Sequence, residues 1–221
     1  MAWTSTLLLL TLGLGTAAVA NRFRFDARLI VGFGVGAGLF LVIPGVSRAV
    51  VALASVVWGA HKELPTWVFV VLNGLLAQLL QTTAALALGG VGRPGAGGVE
   101  GAGTAVGAGF GLASEFGILR GAYEVAELGL PGGPGVGWAF LGSLGRLAAG
   151  SAVTGLSGGL MAEGRWVEGV VVAVGGRLLL DLGLRFLEGP ARVAGVTLLC
   201  AAVLFGGLVV RIRSLASHQR R

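Results

Sequence analysis

Charge falls between long uncharged stretches of this chain, not within them. From Leu29 to Ser47, from Trp67 to Leu88 and from Val193 to Val210 no residue ionises. About 20 mostly apolar residues in a helix cross the roughly 30 Å hydrocarbon core of a bilayer. Hydrophobic residues make up 55% of the 221 and charged residues 12%, against about 25% charged in ordinary soluble domains. That balance excludes a soluble globular domain and a disordered chain, and the single cysteine, Cys200, excludes a disulfide scaffold. The expected fold class is all-α: a polytopic transmembrane helical bundle of about seven spans (six to eight). It forms one domain over 1–210, with a basic tail over 211–221.

The spans are expected at 2–20, 29–47, 67–88, 101–119, 137–161, 166–187 and 193–210. The first ends in Ala18-Val19-Ala20, but Arg22, Arg24 and Arg28 follow it and no basic residue precedes it. A cleaved signal has the opposite polarity, so a retained helix is expected. The stretch 29–60 is ambiguous, because Pro44 should kink or end a helix and Arg48 interrupts the apolar run. There 49–60 reads as a helical extension or an interfacial segment. Residues 89–100 read as a Gly-rich linker, and 120–136, with Arg120, Glu124 and Glu127, as a loop with at most a short amphipathic piece.

Net charge is +6. In a soluble protein such an excess would suggest nucleic acid, but here the bases punctuate apolar runs, and no nucleic-acid partner is expected. With seven spans, 21–28, 92–99, 163–165 and 211–221 share one side. They carry Arg22, Arg24, Arg28, Arg93, Arg165, Arg211, Arg213, Arg220 and Arg221. The other side carries Lys62, Arg120 and Arg192, with Arg48 and Arg185 near helix ends. The positive-inside rule then puts the chain in the cell membrane with its N-terminus outside and its C-terminus in the cytoplasm.

The 42 glycines recur at helical spacing: Gly32/Gly36, Gly34/Gly38, Gly103/Gly107/Gly111 and Gly155/Gly159. Four-residue spacing gives a smooth groove along which membrane helices approach closely.

Ionisable groups at membrane depth are costly and face a bundle interior. Glu115, on the fourth span, reads either as a carboxylate that binds or relays protons, or as half of a structural ion pair. Arg146 is placed to meet it or Asp181. Arg177 and Asp181 lie four apart on one helix face and read as an intrahelical pair or as site residues. Gln78, Gln81 and Thr82 share a face of the third span, as interhelical glue or as the lining of a cavity. No cofactor is expected: His61 and His218 both fall in loops, and no HExxH, Cys/His cluster or Walker motif occurs.

A basic segment, Asn21-Arg22-Phe23-Arg24-Phe25, leads into a Gly-rich span and Arg48. A second Gly-rich run, Gly107 to Ser114, ends in Glu115. Later come Arg146, Ser151, Gly164-Arg165-Trp166, Ala173, Arg177 and Asp181. This order, over about 20–190, resembles the YhfC-type membrane proteins, relatives of the CPBP and PrsW intramembrane protease families. Those proteases activate water with Glu and His. Where the family has a double Glu, this chain reads Leu76-Ala77-Gln78-Leu79-Leu80-Gln81-Thr82-Thr83. Phe110 or Gly111 stands where a His is expected before Glu115. The regions of the two later His fall around Gly150-Ser151 and Gly175-Gly176. Only Glu115 and Asp181 carry over. The resemblance implies a non-catalytic member that works in the lipid bilayer by binding or scaffolding another membrane protein. The polar set itself suggests an alternative, a small carrier with Glu115, Arg146, Arg177, Asp181, Gln78 and Gln81 around one cavity.

Overall fold

The computed structural model describes residues 27–57, 66–90, 96–128, 135–181 and 187–218. They form six helices: α1 (Ala27–Val57), α2 (Thr66–Gly90), α3 (Ala96–Glu127), α4 (Val136–Ala162), α5 (Trp166–Asp181) and α6 (Pro190–His218). There is no strand among the described residues. The expected span 2–20 and the loop at His61–Lys62 lie outside them.

Among the described residues, four segments are long and apolar enough to cross a membrane: Leu29–Val50, Val71–Gly90, Gly98–Glu127 and Pro190–Arg211. The chain is therefore an α-helical protein with the make-up of a membrane protein, and the described residues do not confirm the expected count of seven spans. α5, at 16 residues, is about 24 Å long at 1.5 Å per residue. α4 has the length, with 27 residues, but is rich in Gly and Ser. Its position explains this, because α4 packs against α2, α3, α5 and α6. A helix walled by protein has no need of an apolar surface all round. Leu41 and Val42 of α1, Val167 and Val171 of α5, and Leu199 and Val203 of α6 are exposed instead.

The stretch 29–60 resolves into one helix that runs through Pro44 to Val57. The expected linker 89–100 is mostly helical, since α2 reaches Gly90 and α3 starts at Ala96. Gly89 there lets α2 close on Val99. The expected loop 120–136 starts as helix, because α3 runs on to Glu127, with an Arg120–Glu124 ion pair at i,i+4 and 2.7 Å. The tail is also helical as far as His218. Good helix formers outside an apolar run are easily read as loop when charge is the boundary signal.

Glycine sets the helix spacing. A methyl placed on Gly103 would lie 2.8 Å from the Thr154 carbonyl oxygen. One on Gly107 would lie 2.7 Å from Ser151 Cα, and one on Gly111 3.2 Å from Leu147 Cα. The partner numbers fall as the α3 numbers rise, so α3 and α4 are antiparallel. Gly32 faces Ala102 and Ala105 while Gly36 faces Val106 and Phe110, so α1 and α3 are parallel. Gly34 and Gly38, with the same spacing, face open space. Gln78 and Thr82 meet Thr154 and Ser157, which makes α2 and α4 parallel. The starts of α1, α3 and α5 thus share one end of the bundle with the finishes of α2, α4 and α6.

α4 turns into α5 through a Schellman motif. The Arg165 N–H donates to the Leu160 carbonyl and the Gly164 N–H to that of Met161, both at 3.0 Å. Gly164 takes φ +82°, the left-handed conformation that this motif demands and glycine adopts without strain. Pro190 opens α6 after Gly189, at φ +87°, where its missing N–H costs nothing.

Candidate functional site

Buried polar side chains lie along α4 in a file. On a helix, residues 143, 146, 150, 151, 154 and 157 fall on one broad face. Ser143, Ser151, Thr154 and Ser157 are all fully buried there. From Ser143 to Ser157 the file runs about 21 Å at 1.5 Å per residue, about two thirds of the thickness of a hydrocarbon core.

At one end Arg146 grips Glu115 with two parallel bonds, Nε to Oε1 at 2.8 Å and Nη2 to Oε2 at 2.7 Å. Nη2 also reaches Ser143 Oγ at 3.3 Å. This fork is the strongest arrangement available to the two groups. Glu115 reaches it because it continues the small-residue face Gly103/Gly107/Gly111 of α3. Of the two partners expected for Arg146, it takes Glu115.

The next level holds Arg177 and Asp181, joined along α5 by Nε to Oδ2 at 2.7 Å. The Arg177 guanidinium carbon lies 5.5 Å from the Phe110 ring centroid, within cation–π range. The Asp181 carboxylate occupies the place that a side chain at Gly74 of α2 would need. The intrahelical pair is thus wedged against α2 and α3.

One turn further, Gln78 Nε2 donates to Thr82 Oγ1 and to Thr154 Oγ1, both at 3.3 Å. The Thr154 hydroxyl lies 3.2 Å from Gln81 Oε1, and the Thr82 and Ser157 hydroxyls are 3.2 Å apart. Gln78, Gln81 and Thr82 share a face as expected, and it is buried against α4.

The far end was not legible as a site. Arg211 Nε is paired with Glu100 Oε1, and its Nη2 lies 2.6 Å from Glu163 Oε2. Glu100 is fully buried, in space that a side chain at Gly159 would fill. Sequence reading left Glu100 in a linker and Arg211 in a tail. The available signal was spacing, because Glu100 precedes Gly103, Gly107 and Gly111 on one α3 face.

The six expected residues are therefore brought into three sets at successive levels: Glu115 with Arg146, Arg177 with Asp181, and Gln78 with Gln81. No family model, curated protein or solved structure matches the chain, so its function is argued from this geometry.

Proposed function

We propose that the chain is a non-catalytic multi-pass membrane protein that binds or scaffolds another membrane protein within the bilayer, as a degenerate relative of the YhfC-type proteins. The observation that supports this is the pairing of its carboxylates. Glu115, Asp181 and Glu100 each accept a hydrogen bond from an arginine. A general base needs a carboxylate oxygen within reach of the proton that it takes, and these oxygens are turned to guanidinium groups. Two of the ion pairs, Arg146–Glu115 and Arg211–Glu100, act as struts between helices, and the third lies along α5. Purification in mild detergent should bring down a stoichiometric membrane partner. Purified protein that cleaves membrane substrates, and stops doing so on Glu115→Gln, would overturn the proposal.

A second reading, the small carrier, is favoured by the length of the α4 file, which follows the helix over about two thirds of a hydrocarbon core's thickness. Intramembrane polar chains of this kind mark solute paths as well as struts.

The orientation goes with either reading. The start of α1, the α2–α3 and α4–α5 connections and the finish of α6 share one end, and nine of the arginines belong in sequence to these segments or to the stretches that adjoin them. That end belongs in the cytoplasm. Reporter fusions after Arg28 and after Arg221 should both read cytoplasmic. An external Arg28 fusion with a cytoplasmic tail would sink the seven-span topology and leave the tail assignment intact.

A further inference from the structure

We propose that the bundle holds, between α2 and α4, a binding site for a small uncharged molecule that accepts hydrogen bonds: water, or a neutral solute the size of urea or glycerol. Gln81 carries the argument. Its side chain is 2% exposed and its oxygen faces the Thr154 hydroxyl, yet its Nε2 meets no acceptor among the described residues. Buried polar groups in native proteins find a partner, often an enclosed water.

Thr154 makes the requirement stricter. Its hydroxyl lies 3.0 Å from the Gly150 carbonyl and 3.2 Å from Gln81 Oε1, and its one proton serves one of them. If Gly150 takes the proton, the Gln81 amide turns its nitrogen to Thr154, and its oxygen becomes the unmet atom. In either orientation one end of Gln81 is left for a ligand. A molecule with both a lone pair and a proton suits both orientations.

Space lies one turn of α4 away. A side chain at Gly150 would meet nothing within 4 Å. Gly150 is one turn from Thr154 on the polar face of α4, and the α2–α4 register sets it at the level of Gly74. The Asp181 carboxylate fills the space at Gly74, and the Arg177 and Asp181 side chains keep 20% and 22% of their surface, so the bundle does not seal that level. The side chains bonded to one another around Gln81, namely Gln78, Thr82, Thr154 and Ser157, are all neutral. An ion at Gln81 would have no opposite charge to replace its water, which is why the ligand is uncharged.

The proposal deepens the carrier reading by naming a class of cargo, but binding and transport are separable. Gln78, Gln81 and Gln219 are the only glutamines, so selective 15N labelling in lipid nanodiscs resolves the Gln81 side-chain amide. Water-edited solid-state NMR should transfer magnetisation from water to that amide. Gly150→Leu, which fills the space, should cut the transfer at least tenfold. A Gln81 signal that shifts on titration with urea or glycerol, while its water transfer falls, assigns the site to a neutral solute. Neither water transfer nor a solute shift in the wild type overturns the proposal. Gln81→Met gives an independent test: a lower Tm supports a ligand-satisfied amide, and a higher Tm overturns it, because replacing an unmet polar group stabilises. Stopped-flow permeability of proteoliposomes to water, urea and glycerol then tests the carrier reading alone. Permeability equal to that of empty liposomes would remove transport and leave the bound ligand in place.

Discussion

Glu115→Ala should cost about 3–5 kcal/mol of bundle stability, the range for breaking one partner out of a buried ion pair. Glu115 is nearly enclosed, at 6% side-chain exposure, and Arg146 keeps 23%. Once the carboxylate is gone, the guanidinium retains only its long contact to Ser143. The partial exposure of Arg146 lets it bend toward water, so the lower half of the range is expected. Glu115→Leu combined with Arg146→Leu should recover most of the loss, since no charge then remains to be solvated. Reversible unfolding by titrating dodecyl sulfate into mixed micelles measures both. A loss below about 1 kcal/mol for Glu115→Ala, the scale of an exposed pair, would show that the pair is peripheral and that α3 and α4 are held by packing alone.

Gly36→Ala is the second large effect. The new methyl would overlap the Val106 carbonyl oxygen and lie 2.8 Å from the Phe110 backbone nitrogen. Backbone atoms cannot swing aside, so α1 must move off α3, a change of the overpacking kind that costs about 1–3 kcal/mol. Gly34→Ala, two residues away, meets nothing within 4 Å. It should be neutral or gain up to about 1 kcal/mol from the better helix propensity of alanine. The same unfolding assay should separate the two variants by at least 1 kcal/mol. Equal effects would mean that the α1–α3 contact is looser than the backbone approach implies.

That pair also shows how far the sequence could be read. Apolar runs of the right length located the helices, since a bilayer fixes the length of what crosses it. The i,i+4 pair Arg177–Asp181 followed from helix geometry alone, and Arg146 had two expected partners, Glu115 and Asp181. But Gly32/Gly36 and Gly34/Gly38 are identical as spacing, and only the partner helix distinguishes a seam from an open face. Glu100 was hidden differently. Flanked by Gly97, Gly98, Gly101 and Gly103, it lacks the contrast between apolar and polar residues by which a helix announces itself. The hydroxyls of α4 were overlooked for the same reason, because Ser151, Thr154 and Ser157 sit among glycines and their three-residue spacing makes a face only once α2 and α3 pack on it.

The make-up of α4 also bears on how the protein is made. A segment carrying Ser143, Arg146, Ser151, Thr154 and Ser157 leaves an insertion channel for lipid reluctantly, because an arginine near mid-helix disfavours partitioning by roughly 2.5–3.5 kcal/mol. α3 precedes it with Glu115 and shares the difficulty. Each is the other's remedy: folded back on one another during synthesis, they bring carboxylate to guanidinium before either faces acyl chains. Were both helices to cross the bilayer, such a hairpin would best enter it as one unit, with α4 delivered before α3 is released. Lengthening the chain between them delays their meeting at the very step where a charged helix has nowhere else to go.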